Sequence, residues 1–179
     1  MTQRKGKYNE KTIDQSGRIT TAYQKWSQMM HRCYDPKYRQ RKPTYRGCSV
    51  CEEWHDFNTF LKWYNLNYRE GFDLDKDILS DGNKVYSPDV CLFVPHYINM
   101  QVQQPKKGRY LTGVSQRGKR YYAAYGKNEA RVYLGVYNTE MEAHQAYRRH
   151  KAYEIEKMAT LAIENGDIDW RVYDALINR

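Results

Sequence analysis

The stretch Arg131-Val132-Tyr133-Leu134-Gly135-Val136-Tyr137-Asn138-Thr139-Glu140-Met141-Glu142 decides the fold class, because its character changes partway along. Residues 131–137 are rich in β-branched and aromatic side chains and read as a short strand. Thr139 stands three residues ahead of Glu142, the spacing of a capping box, so a helix starts here and its pattern runs to about Glu164. Upstream, Tyr110-Leu111-Thr112-Gly113-Val114 and Arg120-Tyr121-Tyr122-Ala123-Ala124-Tyr125 read as two further strands. Three strands, one long helix and a last short helix around Trp170–Ile177 predict an α+β domain over residues 109–179.

Residues 101–108, Gln101-Val102-Gln103-Gln104-Pro105-Lys106-Lys107-Gly108, are polar with Pro and Gly and read as a linker. Before it, residues 21–100 read as a second domain. Tyr23, Trp26, Met29, Met30 and Cys33 recur at steps of three and four, the mark of an amphipathic helix that Asp35-Pro36 ends. A basic, Tyr-bearing loop is expected over 34–47. A second helix is expected from about Glu52 to Asn65, with Trp54, Phe57, Phe60, Leu61 and Tyr64 as its core face. Phe72-Asp73-Leu74-Asp75 alternates like a strand, and Ser80-Asp81-Gly82-Asn83 reads as a turn. Val85-Tyr86 and Val90–Val94 are short apolar runs, the second a strand or a helix start. Residues 1–20 are polar and read as a flexible basic arm.

The chain has 179 residues, of which 40% are hydrophobic and 15% aromatic, and its mean hydropathy is −0.99. No run nears the roughly 18 apolar residues of a membrane helix, and Met1–Lys7 lacks the apolar core of a signal peptide. A soluble, cytoplasmic protein is expected, and a monomer is favoured. The net charge of +9 is unevenly placed. Residues 1–47 hold twelve Lys and Arg against three Asp and Glu, and residues 100–131 hold eight against one. The middle, 48–99, holds four against nine. Basic blocks interleaved with Tyr suit a phosphate backbone, and double-stranded DNA is the expected partner.

The C-terminal part resembles the APETALA/ethylene-response-factor type of DNA-binding domain. The matching residues are Gly113-Val114, Arg120-Tyr121-Tyr122-Ala123, Arg131 through Thr139, Glu140, Glu142-Ala143 and Ala146-Tyr147. The resemblance implies a three-stranded sheet in the major groove with a helix bracing its back. Its groove-facing candidates are Ser115, Arg117, Lys119, Arg120, Tyr122, Lys127, Arg131 and Tyr133. The family usually has Arg at the place of Ser115 and Trp at those of Tyr121 and Tyr133, so its base preference does not carry over to this chain.

Residues 22–99 resemble HNH-type homing endonucleases encoded by tailed bacteriophages. The pattern is Trp26-x-x-Met29, Arg32-Cys33-Tyr34, Val50-Cys51-x-x-Trp54, Leu74-Asp75-Lys76-Asp77, Gly82-Asn83, Tyr86-x-Pro88-x-x-Cys91 and Asn99. The resemblance implies a ββα-metal unit, a bacterial host cytoplasm, and metal-dependent phosphodiester hydrolysis that nicks or cuts DNA. Asp75 and Asn99 match the places that hold Mg²⁺ or Mn²⁺. The family's general base is a His directly after that Asp, and here the residue is Lys76. Lys76 acts as a base only if burial lowers its pKa; otherwise it stabilises phosphate charge. His96 and His55 are stand-in bases, and a catalytically inactive DNA-binding or regulatory protein is the alternative. Asp73, Asp75, Asp77 and Asp81 supply hard oxygen ligands close together. Cys48-x-x-Cys51 is half of a zinc pattern that Cys33 and Cys91 would complete. The competing reading is four reduced cysteines packed as small apolar groups. The expected whole is a small zinc-stabilised ββα-metal domain followed by an antiparallel sheet plus helix.

Overall fold

Thr20 starts the first helix, its side chain accepting the N–H of Tyr23. The computed structural model describes residues 12–102, 108–126 and 130–178. The chain divides between Pro95 and His96 into two units, each with its own packing.

In the N-terminal unit, α1 (Thr21–Tyr34) is followed by α2 (Pro36–Arg41). Next come a single 3₁₀ turn (Pro43–Tyr45), β1 (Ser49–Val50), another 3₁₀ turn (Glu52–His55) and α3 (Phe57–Asn67). Three strands complete it: β2 (Phe72–Asp75), β3 (Val85–Tyr86) and β4 (Leu92–Pro95). Strands β2 and β4 are antiparallel, with Asp75 opposite Leu92, while β1 and β3 pair in parallel. The core is aromatic and sulfur-rich: Met29, Cys33, Cys48, Trp54, Phe60, Tyr64, Tyr86, Cys91 and Phe93 form one cluster. The Trp26 indole N–H donates to the Trp54 carbonyl at 2.7 Å, fastening α1 to the turn before α3.

Three expectations change here. Residues 12–20, expected in a flexible arm, form a closed turn in which Ile13 bridges Ile19 and the Asp14 carboxylate accepts N–H groups from Ser16 and Arg18. Residues 1–11 of that arm lie outside the described residues. The expected loop at 34–47 holds a helix, because Asp35 caps it by accepting the Tyr38 N–H and Pro36 fits its first position. The expected helix over 52–65 is broken at Asp56, whose carboxylate accepts the N–H groups of Asn58 and Thr59 and caps α3.

In the C-terminal unit, α4 (His96–Val102) precedes a sheet of β5 (Val114–Arg117), β6 (Arg120–Tyr125) and β7 (Val132–Tyr137), all antiparallel with β6 in the middle. Helices α5 (Glu140–Glu164) and α6 (Trp170–Ile177) follow. The Tyr97 hydroxyl lies 3.3 Å from the Asp167 carboxylate and the Tyr125 hydroxyl 3.2 Å from the Gln101 side chain. These bonds place α4 with the C-terminal unit, so the division falls ahead of the expected 101–108 linker, of which 103–107 lie outside the described residues. The Thr139–Glu142 capping box forms as expected. Ala123 of β6 packs on Ala143 and Ala146 of α5, with Val114, Tyr121, Leu134 and Tyr137 around them. Small side chains at this seam let the helix lie close: a Cβ on Gly113, at φ +80, would meet the Tyr147 ring at 2.0 Å. The first strand starts at Val114 rather than Tyr110, because Gly113 makes a turn in which the Val114 N–H donates to the Leu111 carbonyl at 3.0 Å.

Candidate nucleic-acid interface and the Asp75–Lys76 turn

Side chains alternate across a sheet, so covering one face with α5 presents the other. Register sets Arg117 opposite Arg120 and Ser115 opposite Tyr122. Tyr122 in turn lies opposite Val136. Ala123, Val114 and Tyr121 pack toward α5, so Ser115, Arg117, Arg120, Tyr122 and Val136 share the other face. Between Ala123 and Ala124 the register slips by one residue: Ala123 pairs with Gly135 but Ala124 with Tyr133, leaving Leu134 extra. This β-bulge turns Leu134 into the core and Tyr133 outward, 61% exposed, with its ring centroid 6.4 Å from that of Tyr122.

The Arg117 guanidinium carbon sits 5.7 Å from the Tyr122 ring centroid, and Arg120 donates to the Asn138 side chain. Lys119 is exposed in the turn between β5 and β6, and Arg131 is exposed just before β7. Lys127 lies outside the described residues. Facing guanidiniums across a strand pair repel each other in the absence of an anion, and exposed Tyr rings offer stacking surfaces beside them. Val136 and Asn138 join this surface and were not singled out by the sequence. A simple two-residue count through 133–136 puts Tyr133 and Val136 on opposite faces, and Gly135 in the strand interior is the signal for the bulge.

Asp75 ends β2 and is 9% exposed. Its Oδ1 accepts the N–H groups of Asp77 and Ile78, both at 2.7 Å, and so closes the turn that follows. Lys76 is 6% exposed. Its ammonium donates to the Asn83 carbonyl at 2.7 Å and to the Asp77 carboxylate, and lies 5.7 Å from the Tyr86 ring centroid. Asp73 pairs with Lys25 of α1 at 3.5 Å, and Asp81 is exposed in the following turn. The four aspartates are thus spread over different tasks. Among the described residues, no three His, Cys, Asp or Glu side chains come together as a metal-holding group.

His96 opens α4 and is exposed, and Asn99 is half-buried on the same helix. Both belong to the C-terminal unit, whereas Asp75 and Lys76 belong to the N-terminal one. His55 sits in the N-terminal unit, its Nε2 3.1 Å from the Tyr34 hydroxyl and 3.3 Å from the Val50 carbonyl.

A carboxylate is a hard oxygen donor of the kind that Mg²⁺ or Mn²⁺ takes. Two N–H bonds already orient the Asp75 carboxylate, as an outer shell would. The thiols are of the other kind. Cys33, Cys48 and Cys91 are buried and Cys51 half-buried, all free and in one core. Burial pushes the Cys33 and Cys91 thiols up to about 12, so with no cation beside them they are protonated.

Among the described residues no helix is long and apolar enough to cross a membrane. Comparison with protein-family models, with characterised proteins and with solved structures finds no match for this chain.

Proposed function

We propose that the protein binds double-stranded DNA through the open face of β5–β7 and is a homing-type endonuclease that uses Mg²⁺ or Mn²⁺, with Asp75 as a metal ligand. The observation that carries the binding half is the convergence of Arg117, Arg120, Tyr122 and Tyr133 on the sheet face that α5 leaves uncovered. Guanidiniums on a narrow sheet can take phosphates or the acceptor edge of guanine. The cleavage half rests on the resemblance and on the position of Asp75. The antiparallel β2–β4 pair places Asp75 at the end of β2. A divalent ion held by Asp75 would polarise a phosphodiester and ease ionisation of water. Asp75 has its carboxylate positioned by two N–H groups, and Lys76 lies next to it as a cation already engaged by Asp77 and Asn83.

That engagement of Lys76 favours a second reading, DNA binding without cleavage, since an ammonium donating to a carboxylate and a carbonyl accepts no proton. A plasmid-nicking assay with Mg²⁺ or Mn²⁺ separates the two. Under the endonuclease reading Asp75→Ala abolishes nicking and leaves affinity within a few-fold, and Lys76→His raises the rate by supplying a base that titrates near neutral pH. If neither wild type nor Lys76→His nicks any DNA, including host genome and the gene's own flanks, the binding-only reading stands. Changing Arg117 and Arg120 to Ala tests the interface itself: each should cost about 1–3 kcal/mol of base discrimination, and unchanged discrimination removes the sheet from the proposal. Zinc across Cys33, Cys48, Cys51 and Cys91 is tested by native mass spectrometry. One zinc per chain would require those side chains to converge and ionise together.

A further inference from the structure

The segment Pro36–Arg46 holds Lys37, Arg39, Arg41, Lys42 and Arg46 and no acidic residue. Among the described residues, none of the five is ion-paired with a carboxylate. Lys37 and Arg41 are four apart on α2, a spacing at which like charges repel. The segment is nonetheless held in place. Asp35 caps α2, and the Lys84 ammonium donates to the Thr44 carbonyl at 3.1 Å. Ring centroids of Tyr38 and Tyr45 lie 5.7 Å apart, with Arg41 5.8 Å from the first and Arg32 5.7 Å from the second. Lys84, which holds Thr44, follows Asn83, whose carbonyl accepts the Lys76 ammonium at 2.7 Å, and that ammonium lies 5.7 Å from the Tyr86 ring centroid. The basic segment therefore borders the Asp75–Asp77 turn inside one unit.

We propose that this segment is a second grip on the phosphate backbone of duplex DNA, distinct from the sheet face and placed beside the Asp75–Asp77 turn. The inference rests on the DNA-binding reading above. A fixed array of unpaired cations, three of them Arg, matches a line of phosphates, which Arg can take bidentately. A lipid surface is the poorer match, because α2 buries no residue and the stretch from Pro36 to Arg46 has no aliphatic side chain to insert.

The test uses the full chain and a labelled duplex titrated at several salt concentrations. Lys37, Lys42 and Arg46 are exposed, so the variant is Lys37→Gln, Lys42→Gln and Arg46→Gln together. Each lost phosphate contact should remove about 0.9 from the slope of log affinity against log salt. Three contacts then shrink the affinity loss between about 50 and 200 mM salt by about 40-fold. Preference among duplex sequences should stay as in wild type. The single change Lys42→Gln, expected to remove about 0.9 alone, serves if the triple variant unfolds. A wild-type chain that binds duplex with a steep slope, and variants that keep that slope, overturn this inference alone. A wild-type chain that binds no duplex at low salt overturns the DNA reading and this inference with it. Variants that keep their DNA slope but lose binding to phosphatidylserine vesicles assign the segment to a lipid surface and overturn the proposal.

Discussion

The two units solve the same problem with opposite materials. The N-terminal unit fills its centre with Trp54, Phe60, Phe93 and sulfur, and buries a charged pair of neighbours, Asp75 and Lys76, by satisfying each locally. The C-terminal unit fills its seam with Ala123, Ala143 and Ala146 and keeps its guanidiniums on the outside. A large aromatic core pays for burying polar groups, and such groups are then rigid and selective. A thin alanine seam holds a sheet flat against a helix and leaves a whole face for contact. The difference assigns stability risk to side-chain volume in the first unit and to backbone approach in the second.

The largest break in that comparison is Phe60→Ala. Phe60 is 0% exposed and meets Trp54, Trp63 and Tyr64 at ring-centroid distances of 5.1, 5.9 and 6.1 Å. Emptying its site should cost the N-terminal unit about 3–5 kcal/mol. Amide hydrogen exchange read by unit checks it: protection around α1 and α3 falls, and protection in β6 stays. Equal loss in both units would mean that the division at Pro95 is not an energetic one.

Gly113→Ala is the matching break in the second unit. The glycine has φ +80, and a Cβ would press into the Tyr147 ring. Left-handed strain of about 1–2 kcal/mol and overpacking of about 1–3 kcal/mol add to roughly 3 kcal/mol. Thermal unfolding should show that loss, and under the proposed DNA-binding function affinity for duplex should fall with it because the sheet no longer seats on α5. A neutral Gly113→Ala would show that the helix can retreat from the sheet without consequence, against the close-seam account.

Next is Lys76, where the first unit's buried charge can be separated from its buried volume. Lys76→Ala removes both and strands the Asn83 carbonyl, for an expected cost of about 2 kcal/mol. Lys76→Met keeps the volume but strands the same Asn83 carbonyl, so it should cost about 1 kcal/mol, less than Ala. Urea midpoints for the two variants decide it. If Met costs as much as Ala, the ammonium itself holds the turn together.

Local signals account for what was legible beforehand. The capping box at Thr139, α6, and the strands at Phe72–Asp75 and Arg120–Tyr125 depend on a few neighbouring residues, and each forms where expected. Pro36 and Asp56 mislead for one reason: each residue type both ends and starts helices, and only the capping hydrogen bonds say which. The parallel pairing of β1 with β3 joins two-residue strands far apart in sequence, and no local pattern encodes that. In the site, Arg117, Arg120 and Tyr122 share a face by simple alternation, whereas Tyr133 joins Val136 on it only through the bulge at Leu134. The task of Lys76 was hidden because its partner carbonyl, that of Asn83, comes from beyond the turn at Asp81-Gly82.

The smallest effect sharpens the comparison at the helix starts, where both units use the same device. Asp56 caps α3 in the first unit and Asp169 caps α6 in the second. At Asp169 burial alone would raise the carboxyl's pKa, but hydrogen bonds from Arg171 and the Val172 N–H outweigh it and hold the value below the ordinary one. At Asp56 the Asn58 N–H is the largest lowering influence. A carboxyl lowered in the folded state stabilises fully above its unfolded pKa of about 3.9, and that contribution fades as pH falls through the folded value. Both caps should therefore hold at neutral pH and be lost only below about pH 4. Asp169→Ala should cost about 0.5–1 kcal/mol at pH 7, the low half of the cap range because the side chain is half exposed. The same substitution measured at about pH 3 should cost less, since protonation has already weakened the cap in wild type. A cost that does not change with pH would mean that α6 is held by Val172 and Leu176 in its buried face, and that its cap contributes no charge.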